Sequence, residues 1–239
     1  MKKLLSASIA AATIAGFAAP AAAVEGLSAN AGIVSDYYFR GGNLGDAGAY
    51  AGVDYEIGGF DIGTWAIDDG DLGGNNGLEY DIYLGYGQES GDFSWSVGFT
   101  DYQYTYTSAF ENELNFGLGL SGFALDVAVG NADNGEDGDA ADDADYLFAA
   151  LSWSGDVFGS TLGYKSTDES AEYNEVAGLA VSGTAESDYT YLEVSAGGEI
   201  ATMDVGVTLG RVIDSSFDGD DTGSSDYYMF LDVSKSFDL

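Results

Sequence analysis

The chemistry open to this sequence depends on its carboxylates, because Asp and Glu are numerous and the usual catalytic side chains are missing. The 239-residue chain has 41 Asp and Glu, six Lys and Arg, and no His or Cys. Without His and Cys, neither Ser-His and Cys-His catalysis nor a thiolate or imidazole metal site can form. The net charge of −35 should repel nucleic acid. We therefore expect neither an enzyme nor a nucleic-acid partner. The carboxylates are instead expected to act on cations or solutes.

The carboxylates recur at alternate positions, opposite apolar side chains. Between Ala47 and Ile57 the odd positions are apolar or aromatic, while Asp54 and Glu56 lie on the other face. A period of two is typical of β-strands. We predict twelve strands, at residues 27–39, 47–57, 60–67, 78–87, 92–101, 109–120, 122–131, 145–154, 157–166, 188–197, 200–212 and 226–238. Ten or fourteen strands are alternatives, because the third and eighth segments alternate poorly around Trp65 and Phe148.

The first 23 residues have the features of a secretory signal peptide. Lys2 and Lys3 precede an apolar stretch, and the segment ends in three small residues, Ala21–Ala23. We predict cleavage after Ala23 and a single domain over residues 24–239. No run of 18 apolar residues follows, so a membrane location would require a closed β-barrel.

The lengths of strands and connections favour such a barrel. Strands of about nine to eleven residues cross a bilayer at a tilt. Short connections alternate with longer ones, of which the longest are predicted at 132–144, 167–187 and 213–225. Short turns at one end and long loops at the other are typical of bacterial outer-membrane barrels, which contact lipid and lipopolysaccharide. We therefore predict an all-β, antiparallel, up-and-down transmembrane barrel in the outer membrane. The alternative is a secreted, water-soluble β-sandwich.

A motif near the start of the mature sequence carries a family resemblance. Residues 28–42 read SANAGIVSDYYFRGG, and Gly52, Asp54 and Tyr55 follow in the next strand. Ser35, Asp36, Tyr37, Phe39, Arg40 and Gly41 match the first-strand signature of the TorF family of porins. The chain resembles that family over its first hundred or so residues. The resemblance implies an outer-membrane barrel with a porin role.

If the apolar faces contact lipid, the opposite faces line the lumen. The predicted pore-lining residues are Asp36, Arg40, Asp54, Glu56, Asp61, Glu79, Asp81, Glu111, Glu113, Asp126, Lys165, Glu193, Asp204 and Asp232. Twelve carboxylates and two cations in a narrow lumen should favour cations over anions. The alternative is a plugged interior with no role in transport. The loop at 167–187 is a candidate for folding inward.

Arg40 is predicted inside the barrel, at the outer end of the first strand. It would either set the charge at the mouth of the channel or tie down the first loop by pairing with a carboxylate. Both alternatives follow from its position four residues after Asp36 and near the loop residue Asp46.

The predicted function is passive diffusion of small hydrophilic solutes, with a preference for cations. The alternative is a structural or surface-interaction barrel whose acidic loops bind divalent cations or a partner. Asp218 and Asp220 resemble the opening of an EF-hand, but the twelfth position is Met229, so we predict no EF-hand and no cofactor. Loose binding of Ca²⁺ or Mg²⁺ at the acidic loops stays open. A barrel hydrolase is the least favoured class because it would lack His.

Overall fold

The structure is a computed structural model that describes residues 24–68, 77–106, 110–133, 144–167, 187–217 and 227–239. Its strands are β1 (Leu27–Val34), β2 (Tyr37–Phe39), β3 (Gly42–Gly45), β4 (Gly48–Ile57), β5 (Phe60–Asp68), β6 (Leu78–Ser90), β7 (Phe93–Tyr104), β8 (Phe110–Leu120), β9 (Phe123–Asp133), β10 (Ala144–Ser154), β11 (Phe158–Thr167), β12 (Ser187–Ile200), β13 (Met203–Phe217) and β14 (Tyr227–Asp238). The predicted leader (1–23) and most residues of the acidic loops lie outside these ranges. The described residues include no helix with the length and apolar character needed to span a membrane.

In the described part of the chain, twelve strands form one closed antiparallel barrel. Each wall strand from β4 to β14 pairs with its neighbour along the chain, and β1 closes the barrel by pairing with both β4 and β14. The prediction of a twelve-stranded antiparallel barrel is confirmed. Closure leaves no free sheet edge, so the wall strands satisfy their backbone hydrogen bonds within the barrel.

The two faces of the wall differ as the period-two pattern predicts. On β8, Leu114, Phe116 and Leu118 point outward, and each is 48% exposed. Glu113 and Asn115, which occupy alternating positions on the opposite face, are buried inside the barrel. Every wall strand exposes large apolar side chains on its outer face. The inner face carries most of the buried polar groups. The outside of the barrel is therefore an apolar belt.

Tight turns join strands at one end of the barrel, which we call the short-turn end. Residues 58–59, 121–122 and 201–202 all have positive φ, as in the two-residue turns that match the twist of a β-hairpin. The predicted turn at 198–199 is wrong: β12 continues to Ile200, and the turn follows it. The opposite end, which carries the longer connections, is called the long-loop end.

The first connection at the long-loop end also differs from the prediction. β1 ends at Val34 rather than at residue 39, and β2 and β3 form a separate two-stranded sheet. We call residues 37–45 the lumen hairpin. Arg40 and Gly41 form its turn, with φ of 52° and 82°. The prediction failed because the aromatic residues of β2 follow β1 after only Ser35 and Asp36, with no Gly or Pro between the two strands.

Candidate functional site

The lumen hairpin lies across the interior of the barrel near the long-loop end. The Tyr37 hydroxyl donates a hydrogen bond to Glu79 Oε1 at 2.9 Å. Tyr38 stacks on Tyr228, with the ring centroids 4.2 Å apart. Glu79 and Tyr228 are each the second residue of a strand that begins at the long-loop end. Further contacts join the hairpin to β5, β7, β8, β10 and β12. It is thus held from many sides of the wall.

Arg40, at the tip of the hairpin, is bound by Glu113 of β8. Its Nη2 donates to Glu113 Oε1 at 2.8 Å and its Nη1 donates to Oε2, so the pair is bidentate. The guanidinium lies over the ring of Phe148 on β10, with Cζ 4.1 Å from the ring centroid. The Arg40 and Glu113 side chains are only 9% and 0% exposed. Paired, charge-assisted hydrogen bonds of this kind are among the strongest in proteins.

The hairpin side chains keep the protonation states that these bonds require. Burial raises the pKa of Tyr37 well above its usual value, and the charge of Glu79 raises it further. Burial alone would lower the pKa of Arg40, but the hydrogen bonds to Glu113, together with the electrostatic effects of Glu113, Tyr102 and Tyr146, raise it. Tyr37 therefore stays a neutral donor and Arg40 stays a cation.

Tyrosine hydroxyls hold many of the lumen carboxylates. The donors and acceptors are Tyr37 to Glu79, Tyr50 to Asp232, Tyr83 to Asp54, Tyr102 and Tyr146 to Glu113, Tyr104 to Glu111, and Tyr228 to Glu193. A hydrogen bond to an ionised carboxylate is stronger than one between neutral groups. These bonds fix the positions of carboxylates that would otherwise repel one another.

Glycines on neighbouring strands let the tyrosine rings lie flat against the wall. A Cβ on Gly163 would lie 2.2 Å from Cε1 of Tyr191, and a Cβ on Gly130 would lie 2.1 Å from Cζ of Tyr146. Gly210 is covered in the same way by Tyr228. The inward-facing glycines thus leave the centre of the lumen less obstructed.

Replacing Gly163 by Ala should force the Tyr191 ring away from the wall. We expect the free energy of unfolding to fall by about 1–3 kcal/mol, the usual effect of overpacking. Denaturant unfolding in detergent would measure it. Gly206→Ala is the matched control, because nothing lies within 4 Å of a Cβ at that position. Equal stability of the two variants would show that the position of the Tyr191 ring does not depend on the glycine at position 163.

The structure brings most of the predicted pore-lining residues together on the inner face. Apart from Asp36 and Arg40, the other twelve lie on wall strands: Asp54, Glu56, Asp61, Glu79, Asp81, Glu111, Glu113, Asp126, Lys165, Glu193, Asp204 and Asp232. Glu56 and Asp204 are exposed at the short-turn end. Their role in lining a pore stays a prediction.

Two predicted positions are corrected. Asp36 is not on the first strand but between β1 and the hairpin, where its carboxylate accepts a hydrogen bond from Ser35. Arg40 is in the hairpin turn and reaches across the lumen to Glu113. Chain continuity could not predict this partner, which is 73 residues away.

Two groups of lumen residues were not predicted from the sequence. The tyrosine donors were not identified, because their carboxylate partners are defined only by the register of neighbouring strands. Glu89 and Glu199 were assigned to turns, but β6 and β12 continue beyond them. Both have the inner-face parity, and Glu199 pairs in register with Asp204. The signal that could have found them is the continued alternation at the ends of these strands.

A cavity of about 190 Å³ lies on the short-turn side of the hairpin. Phe39 and Arg40 form one side of it. Polar wall residues that line it include Ser96, Asn115, Asp126, Ser152, Thr161 and Glu193. At about 30 Å³ per water molecule in the liquid, such a space holds roughly six waters. The hairpin therefore narrows the lumen without filling it. No group of three or more acidic side chains in the described ranges is placed to hold a metal ion.

Comparison with known families gives one match. A family model described as a bacterial protein of unknown function (Gcw_chp) matches residues 18–130, slightly less than half of the chain. The matched segment contains the lumen hairpin and Glu113, to which the hairpin is bound. The resemblance to the TorF family stays a prediction. No curated protein sequence matches the chain.

Comparison with solved structures gives several barrels. A structure from a study of the in-meso crystallization of membrane proteins has a TM-score of 0.56 at 10% identity, with 89% of this chain and 84% of that chain covered. This likeness supports the closed barrel fold. Pseudomonas aeruginosa OprD is 14% identical, with 90% and 67% covered and a TM-score of 0.49. A BenF-like porin from Pseudomonas fluorescens Pf-5 is 12% identical, with 90% and 65% covered and a TM-score of 0.47. The chain thus spans about two thirds of the length of these two porins.

Proposed function

We propose that the protein is a passive diffusion channel of the bacterial outer membrane, which admits small hydrophilic solutes and favours cations. The observation that carries this proposal is the contrast between the two faces of one closed wall. Apolar side chains cover the outside, and carboxylates recur on the inside. A barrel of this kind is stable in lipid and can enclose water.

The charges of the inner face support the preference for cations. Eleven of the predicted carboxylates lie on the inner face of wall strands, whereas the predicted lumen cations are Arg40 and Lys165. Arg40 is already paired with Glu113. A narrow lumen with walls of low permittivity concentrates the field of the remaining carboxylates. Passing cations should therefore be stabilised and anions repelled.

Recording in planar lipid bilayers tests the proposal. The purified protein should produce discrete conductance steps, and a KCl gradient should give a reversal potential on the cation side. Absence of conductance steps would reject the channel. A reversal potential on the anion side would reject the preference for cations.

Neutralising carboxylates at the short-turn end should reduce the selectivity. We choose Glu56→Gln, Asp61→Asn and Asp204→Asn together. These groups are not among the carboxylates that tyrosine hydroxyls hold in the described residues, so removing their charge should leave the fold intact. A unit charge about 4 Å from an ion contributes about 1 kcal/mol even in water, so the cation-to-anion permeability ratio should fall about threefold or more. The control is Asp92→Asn with Asp156→Asn, in turns at the same end. An equal change in the control would assign selectivity to the surface charge rather than the lumen.

A structural barrel is the second candidate, because the hairpin occupies part of the lumen and contacts strands around the wall. Such a barrel would stabilise the envelope without passing ions. It predicts no conductance from the wild-type protein or from variants that release the hairpin.

A further inference from the structure

The wall residues around Arg40 form a compact receptor for a planar cation. Glu113 presents both carboxylate oxygens to the guanidinium, and the hydroxyls of Tyr102 and Tyr146 donate to the same carboxylate at 3.3 and 2.9 Å. Phe148 presents its ring face to the cation. All four residues belong to β7, β8 or β10, so the receptor is part of the barrel wall and does not depend on the hairpin for its residues.

The chemistry of this receptor selects guanidinium over ammonium. A carboxylate that accepts two parallel N–H bonds matches the planar fork of a guanidinium, which an ammonium group lacks. The flat face of the guanidinium can stack on an aromatic ring while its edge binds the carboxylate. The positions of Glu113 and Phe148 allow both contacts at once.

The hairpin occupies this receptor in a strained way. Arg40 has a φ of 52°, in the left-handed region that Asn and Gly tolerate better than Arg. Its buried Nε has no hydrogen-bond partner, and leaving a buried donor unpaired is unfavourable. A free guanidinium ion carries no turn strain, whereas the tether gives Arg40 a high effective concentration at Glu113. A free ion at millimolar concentration can therefore compete with Arg40 for Glu113.

We propose that Glu113, Phe148, Tyr102 and Tyr146 form a binding site for small guanidinium-bearing cations, which the lumen hairpin occupies with Arg40. Binding of such a solute displaces Arg40 and releases the tip of the hairpin from the wall. The hairpin then acts as a tethered competitor that narrows the lumen until the solute arrives. The binding site stands on the geometry alone, whereas the effect on passage rests on the proposed channel function.

Fluorescence of Trp65 can report hairpin release without any need for conduction. The Trp65 ring lies 6.1 Å from that of Tyr37 in the hairpin. Trp95 and Trp153 are exposed on the outside and can be replaced by Phe, which leaves Trp65 as the single reporter. Millimolar guanidinium chloride is the probe. Urea is the neutral planar control, and potassium chloride is the ionic-strength control.

Guanidinium should change the Trp65 signal of the otherwise wild-type protein in a saturable way, and neither control should do so. Arg40→Asn keeps a residue that suits the turn but removes the competitor. Its Trp65 signal should start near the end point of the wild-type titration. In bilayers, Arg40→Asn should give larger conductance steps than the wild type. Guanidinium should block these steps at a concentration about tenfold lower than the concentration that changes the Trp65 signal of the wild type, a difference equivalent to about 1.4 kcal/mol.

Variants of the wall distinguish the outcomes. The double variant Arg40→Asn with Glu113→Gln should lose the guanidinium effect. The double variant Arg40→Asn with Phe148→Leu should weaken the effect, and it disturbs the fold less because it replaces one apolar side chain by another. An equal response to urea, or a full response without the Glu113 carboxylate, would overturn the site. A Trp65 titration without conductance in any variant would support the site and reject the channel. Conductance without any guanidinium effect would reject the site and leave the channel standing.

Discussion

Glu113→Gln should lower the free energy of unfolding by about 3–5 kcal/mol, because it leaves the buried Arg40 cation without its counter-charge. Glu113 also accepts hydrogen bonds from Tyr102 and Tyr146. A Gln amide has one acceptor oxygen, and its NH₂ group would face donors that already surround the site. Urea unfolding of the detergent-solubilised protein, followed by tryptophan fluorescence, would measure the loss.

Two further variants serve as controls for Glu113→Gln. Glu56→Gln makes the same chemical change at an exposed position and should shift stability by no more than about 0.5 kcal/mol. Arg40→Asn with Glu113→Gln removes both charges and should be more stable than Glu113→Gln alone, since no unpaired cation is left. If Glu113→Gln behaved like Glu56→Gln, the ion pair would not hold the hairpin.

The second large effect is expected on the outer face. Leu114→Arg should destabilise the lipid-embedded barrel by about 2–4 kcal/mol, as an arginine does near the middle of the bilayer, whereas Leu120→Arg should lose only about 0–1 kcal/mol near the interface. Both leucines are on β8 and exposed, and Leu120 precedes the short turn. Unfolding from phospholipid vesicles would give both values.

The same pair of variants tests the soluble alternative. On a water-soluble barrel or sandwich, an exposed leucine can be replaced by arginine with little change in stability. Equal and small effects at Leu114 and Leu120 would therefore contradict the lipid-facing assignment.

Periodicity predicted the wall of this barrel well because each wall strand has one apolar face and one polar face. It failed where the interior is occupied. Tyr37, Tyr38 and Phe39 are consecutive aromatics, which a half-buried strand would not need, and all three contact the lumen wall. Three adjacent aromatics followed by Arg-Gly were the available signal for a hairpin.

The poorly alternating segments have the same cause. Trp65 and Ile67 face inward and pack in one cluster with Tyr37 and Tyr50. Phe148 faces inward on the other side, where it packs with Tyr189 and Tyr191. Apolar residues replace polar ones where the hairpin or neighbouring rings exclude water. The break in alternation therefore marked the filled part of the lumen rather than an error in the number of strands.

The candidate site was predictable only in its composition. Parity placed Glu113 and Arg40 in the interior, but their bidentate pair depends on a loop that folds back into the barrel. The tyrosine bonds likewise depend on register, as when Tyr50 of β4 reaches Asp232 of β14 across β1. Such partners are set by three-dimensional closure, which a local pattern does not encode.

Spin-label accessibility along β9 tests the account most directly, because the chain has no native Cys and each single-Cys variant needs no other change. Labels at 123–127 would be measured in lipid vesicles with oxygen, which concentrates in hydrocarbon, and with a polar nickel complex. We expect oxygen to reach positions 123, 125 and 127, and the nickel complex to be favoured at positions 124 and 126. Nickel access on both faces, or no alternation, would contradict a wall between lipid and a water-containing lumen.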